Sequence, residues 1–226
     1  MTTLLITIVP SFIILGFFFF SDKFKEPKKT IALVFFLGIL ICLPAGIIND
    51  FMYETFNDGS DFSNRLSSSF LSAAWSEELL KFVILYFIVL RRNEFNEPMD
   101  GIVYGVTVSL GFATYENYDY VFRLSEEFGV DPYQMAVWRS YSAIPMHGLM
   151  GCVMGFYFGL YAFTAKKKYL VLCLLIPFII HGLYNFLPHP AHFMILGVVI
   201  VYSIALHSQF KKMQINKKSE NQQKKI

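Results

Sequence analysis

The chain has 226 residues, 55% of them hydrophobic and only 16% charged, with 25 Phe, 13 Tyr and a formal net charge of +2. A soluble domain carries about 25% charged residues. Charge this sparse cannot cover a water-facing surface, which argues against a soluble enzyme, a nucleic-acid-binding domain and a disordered chain. The composition is that of a polytopic membrane protein, in which each crossing uses about 20 apolar residues. Cys42, Cys152 and Cys173 lie in apolar runs and lack metal-ligand spacing.

The apolar runs are continuous rather than alternating, which predicts helices. In chain order they fall near 4–20, 31–49, 66–90, 101–122, 140–163, 169–187 and 191–207. The expected fold is therefore an all-α bundle of about seven transmembrane helices. A single membrane domain covers 1–210, with its central ionisable intramembrane residues confined to a core at about 66–187. Residues 211–226 form a polar, Lys-rich tail that the composition marks as disordered. The first run has no positive segment before it and lysines after it, which fits a retained anchor. Alternate breaks between the runs differ in Lys and Arg, fifteen against three (Arg65, Arg123 and Arg139). That imbalance places the N-terminus outside and the C-terminus in the cytoplasm. The stretch 131–139 is expected on the membrane surface with Trp138 as anchor, Asp119 at the interface, and Asp100 as a helix N-cap.

A charge at mid-membrane costs about 2.5–3.5 kcal/mol, and the few such residues here cluster on four adjacent runs. The third reads Trp75-Ser-Glu77-Glu78-Leu-Leu-Lys81 and the fourth ends Gly111-Phe-Ala-Thr-Tyr-Glu116-Asn117. The fifth holds Pro145-Met-His147-Gly148 and the sixth His181-Gly-Leu-Tyr-Asn185. At about 1.5 Å per residue these groups lie about 10–18 Å below the outer edge, deep enough to share one site. His147, Gly151, Gly155 and Gly159 step by four along one face, as do His181 and Asn185. Small residues at that spacing allow close helix approach.

Glu77, Glu78 and Glu116 face one lysine and two formally neutral histidines, a sum of −2 in a low-dielectric place. Either a carboxylate is protonated or a divalent cation fills the cluster. Glu and His are the ligand and base types of hydrolytic zinc sites, and they also suit metal-free activation of water. No HExxH occurs, so a metal site would be assembled from separate helices. A lone Glu77–Lys81 pair is equally the pattern of an internal ion pair, and the glycine stripe that of packing. It is the conjunction that points to chemistry.

The motifs resemble the PrsW family of bacterial intramembrane proteases. The resemblance rests on Glu77-Glu78-x-x-Lys81, on Asp100-Gly-Ile-Val-Tyr-Gly followed by Ser109-Leu-Gly-Phe-Ala-Thr-x-Glu116-Asn117, on His147 to Gly159, and on His181-Gly-x-Tyr-Asn185. That family is similar to the CAAX-prenyl-protease-like (Abi) membrane proteases, whose final His-x-x-x-Asn is matched by His181 and Asn185. Where that branch has Phe-x-x-x-His, this chain has Phe112-x-x-x-Glu116, so His147 would fill the role from another helix. The resemblance implies hydrolysis of a single-pass membrane protein near the outer face of the bacterial cell membrane. The implied step is site-one cleavage of an anti-sigma factor in envelope-stress signalling.

The expected mechanism has Glu77 or Glu78 as general base, with the other held by Lys81. His147 and His181, with Glu116, bind a metal such as zinc or position the water directly, and Asn185 donates to the oxyanion. Lys81 and Asn117 support the site. The alternatives are a proton-conducting transporter, which uses the same buried residue types, and a non-catalytic scaffold or immunity protein.

Overall fold

The computed structural model describes residues 1–188 and 190–223, with side chains described through residue 216. It is 86% helical with no strand among the described residues. The helices are α1 (Thr2–Ser21), α2 (Lys28–Leu40), α3 (Cys42–Phe56) and α4 (Asp61–Leu66), which runs through a π-helical stretch, Ser67–Ala74, into α5 (Trp75–Phe87). There follow α6 (Pro98–Asp119), a second π-helical stretch at Tyr120–Leu124 with the short α7 (Ser125–Glu127), α8 (Pro132–Tyr141), α9 (Ala143–Thr164), α10 (Lys167–Phe186) and α11 (Ala191–Gln223).

Five helical segments are long and apolar enough to cross a membrane: 2–21, 28–56, 132–164, 167–186 and 191–216. The seven expected crossings add the two more polar inner stretches, 61–87 and 98–119. The α6 helix is the centre of the bundle, packing against α9, α2 and α1, and nearly its whole length from Met99 to Thr114 is buried. Its sequence lacks a long apolar window because its neighbours, not lipid, cover it. The outer helices show the converse, with Phe12, Phe17, Phe36, Phe51, Val198 and Val201 among the large apolar side chains left exposed on their outer faces. In a bilayer those faces meet hydrocarbon.

Backbone touches backbone where α6 meets α9, because glycines face one another. A Cβ on Gly105 would fall 2.3 Å from the Gly151 carbonyl oxygen, and one on Gly155 would fall 2.1 Å from that of Gly101. The four-residue glycine stripe expected on α9 is therefore a real packing face, with its partner stripe on α6. The same device joins α2 to α6, where a Cβ on Gly111 would fall 2.1 Å from the Phe35 carbonyl oxygen.

Two local expectations change. The N-cap of α6 is Glu97, and Asp100, three residues on, closes a capping box with it. Asp100 Oδ2 accepts from the backbone N–H groups of Asn96 (2.7 Å) and Glu97 (2.8 Å). The tail is helical through Gln223. Leu206, Phe210 and Gln214, four apart, turn inward from α11 and are buried, and Phe210 stacks on Phe156 at 4.3 Å. One inward residue per turn keeps this stretch on the bundle although its composition is polar. Residues 224–226 of the tail lie outside the described residues.

Gly155→Val should separate α6 from α9 and lower stability by about 1–3 kcal/mol, the cost of overpacking. Gly46→Ala, where an added Cβ meets nothing within 4 Å, should be neutral. Thermal unfolding of the two variants in detergent checks both.

Candidate active site

The π-helical stretch before α5 shifts the register of that helix just ahead of the Glu-Glu motif, and such bulges are frequent at functional sites. It also seats Phe70 on Gly182, where a Cβ would fall 2.1 Å from the Phe70 ring. The small residue beside His181 thus lets α10 approach α5. Pro177 lies one turn before His181 inside α10.

These placements bring Glu77, Glu78, Lys81, Glu116, His147 and His181 into one connected network. The Lys81 ammonium, wholly buried, donates to Glu78 Oε1 at 2.7 Å, lies 3.7 Å from Glu77 Oε2, and contacts His147 Nδ1 at 3.1 Å. It also sits 4.5 Å above the Phe112 ring. An ammonium can only donate, so Nδ1 of His147 accepts and the ring proton is on Nε2. That Nε2 then donates to Glu116 Oε2 at 3.0 Å. His181 Nδ1 is 2.9 Å from Glu78 Oε1. A carboxylate accepts there, which leaves the lone pair of His181 on Nε2, 4.0 Å from Glu77 Oε2.

A cavity of about 840 Å³ opens onto this network. Glu77, Glu116, His147 and His181 line it, together with Asn185, Asp50 of α3, Arg123 of the second π-helical stretch and Glu127 of α7. Glu78 and Lys81 lie behind that wall. Asn185 is exposed on the cavity wall one turn beyond His181, outside the buried network. Asn117 is a support, since its amide nitrogen donates to the Thr7 carbonyl of α1 at 2.8 Å.

Arg139 joins the site, although in the sequence it counts only as a loop charge. From α8 it donates to Glu116 Oε2 at 2.6 Å and to Asn117 Oδ1 at 2.8 Å, and it lies over the Tyr120 ring at 3.8 Å. The excess of negative charge in the sequence tally was the signal for a further cation. With Arg139 included, the formal sum falls from −2 to −1.

Fold and site together define a class: a multi-pass membrane protein with an acid–base centre of metal-ligand type buried among its inner helices. Within that class the chain belongs to the PrsW family, since residues 26–207 match the family described as PrsW family intramembrane metalloprotease. The Protease PrsW of Geobacillus kaustophilus is 36% identical over 183 residues, covering 80% of this chain and 76% of the relative. That of Bacillus subtilis is 35% identical over 218 residues, covering 92% and 94%. That of Clostridioides difficile is 30% identical over 209 residues, covering 89% and 85%. No solved structure matches the chain.

The metal in that family description fits this donor set. Glu77, Glu78, His147 and His181 each bring one ligand atom within 4.8 Å of the others. Glu77 Oε2 and Glu78 Oε2 are buried without a hydrogen-bond partner. Glu116, grouped with the histidines in the sequence, lies outside this foursome and pairs instead with His147 and Arg139.

Lys81→Met should destabilise the fold by about 3–5 kcal/mol, because it leaves buried carboxylates without their cation. Adding Glu78→Gln should recover most of that loss. A double-mutant cycle by thermal unfolding checks the coupling.

Proposed function

We propose that the chain is an intramembrane peptidase that hydrolyses a peptide bond of a single-pass membrane protein near the outer membrane face. The observation that carries this reading is the two-layer site, in which Glu77, Glu116, His147 and His181 face the cavity while Glu78 and Lys81 stand behind them. The Lys/Arg imbalance supports a cavity at the outer end, with the N-terminus outside and the C-terminus in the cytoplasm.

This layering favours Glu77 as general base and Glu78 as the group that orients Lys81 and the His181 ring. Water held between Glu77 and His181 Nε2 loses a proton to Glu77 as its oxygen attacks the peptide carbonyl. The proton then passes to the leaving amine nitrogen as the C–N bond breaks. Asn185 and Arg139, at the cavity wall, supply donors for the oxyanion. Glu77, Glu78, His147 and His181 would hold a divalent cation such as zinc, which would supply polarisation of the carbonyl and a lowered water pKa, toward about 7. The motif resemblance extends the reading to site-one cleavage of a membrane-anchored anti-sigma factor in envelope-stress signalling.

Co-expression with candidate single-pass substrates tests the proposal. Cleavage should require the wild-type chain and should fall by about 10²–10⁴-fold in Glu77→Gln, with comparable loss in Glu78→Ala, Glu116→Ala and His181→Ala at normal membrane insertion. Full cleavage by Glu77→Gln would remove that residue as base. Elemental analysis of the purified protein, with activity before and after chelation, separates the metal-dependent arrangement from the metal-free one. Activity in stringently metal-free protein would dismiss zinc.

A further inference from the structure

At the opposite end of α6 from Glu116, sixteen residues and about 24 Å away, a second group of carboxylates is buried. Asp22, Glu26 and Asp100 each bring one carboxylate oxygen within 4.8 Å of the others. Asp22 and Asp100 are 2% and 0% exposed. Each of the three is oriented from outside the cluster through one oxygen. Asp100 Oδ2 is held by the N–H groups of Asn96 and Glu97. Asp22 Oδ1 accepts from Phe24 N–H at 3.0 Å and from the Gln214 amide at 2.7 Å. Glu26 Oε2 accepts from the Tyr104 hydroxyl.

The remaining oxygens carry the argument. Asp22 Oδ2 and Asp100 Oδ1 are buried with no hydrogen-bond partner, and a buried carboxylate oxygen left so is costly. Nearby ammonium groups are engaged elsewhere: Lys25 donates to the carbonyls of Phe20 and Asp22, and Lys211 to that of Ser21. Among the described residues no Lys or Arg forms an ion pair with Asp22, Glu26 or Asp100. Side chains held at one oxygen, with the other turned free beside like charges, are how metal ligands are prepared. The donors are all oxygen, which selects a hard cation over zinc.

We propose that Asp22, Glu26 and Asp100 form a second metal site, for Mg²⁺ or Ca²⁺, that ties the α1–α2 loop to the start of α6, with Gln214 of α11 closing over it. It is separate from the candidate active site and needs no proteolytic activity to be detected.

The test uses full-length protein in detergent, carrying His181→Ala to disable the other donor set and stripped of metal with chelator. Mn²⁺ binding is followed by the electron paramagnetic resonance of free Mn²⁺, with Mg²⁺ and Ca²⁺ as competitors, alongside thermal unfolding. One bound Mn²⁺ displaced by Mg²⁺ or Ca²⁺ is expected, with a cation-dependent rise in Tm. Glu26→Gln and Asp22→Asn keep the orienting hydrogen bonds and remove charge. They should fold as well or better without metal, lose affinity by about tenfold or more, and lose the Tm response. Binding that is absent in the parent, or equal in parent and amide variants, would overturn the site. A cluster neutralised by a shared proton gives that outcome. Should an amide variant fail to fold, absence of Mg²⁺ or Ca²⁺ competition in the parent alone would overturn it.

Discussion

Lys81 holds its ammonium out of water among Glu77, Glu78 and His147, and the arrangement of the centre depends on that single group. It has three N–H donors and no acceptor, so its position dictates what each neighbour must do. Glu78 accepts, His147 turns Nδ1 toward it, and the His147 proton is placed on the side of Glu116. Glu78, shared with His181, fixes the second imidazole in turn. A charge this deep is stable only when every partner is present. The same constraint that assembles the site therefore makes removal of the cation itself its costliest single change.

The helices that carry these groups meet at distances only glycine allows. Glu116 and His147 come together because Gly101, Gly105, Gly151 and Gly155 let the backbones of α6 and α9 touch. Hydrophobic burial contributes little to helix association in lipid, so close backbone contact and polar pairing do most of the organising. Asn117 adds a further tie by reaching the Thr7 carbonyl across α1.

Much of this was legible in the sequence, for identifiable reasons. Residues that are expensive in a membrane announce themselves, so Glu77, Glu78, Lys81, Glu116, His147 and His181 could be gathered from position alone. The four-residue glycine stripe gave the α9 face. Arg139 was hidden because a loop arginine at the membrane edge looks like a topological charge, and only the third dimension turns it toward Glu116. The α11 extension was hidden because one inward residue per turn, Leu206, Phe210 and Gln214, barely alters a polar composition. The π-helical stretch before Glu77 left no trace in the pattern. The cluster of Asp22, Glu26 and Asp100 was invisible for a related reason: two of its members sit in the break between α1 and α2 and the third in the first turn of α6, places where acidic residues are ordinary.

The glycine contacts also divide the walls of the cavity by stiffness. Where backbone rests on backbone, no side chain can change rotamer to absorb a displacement, so α2, α6 and α9 form one block carrying Glu116 and His147. The facing wall is joined differently. Trp75, Phe70, Phe178, Phe186 and Phe62 link α4, α5 and α10 through ring edges and faces, and Arg65 donates to the Phe186 carbonyl across the same seam. The half of the centre on α6 and α9 is thus set by backbone contact, while the half on α5 and α10 is set by ring packing and by side-chain hydrogen bonds.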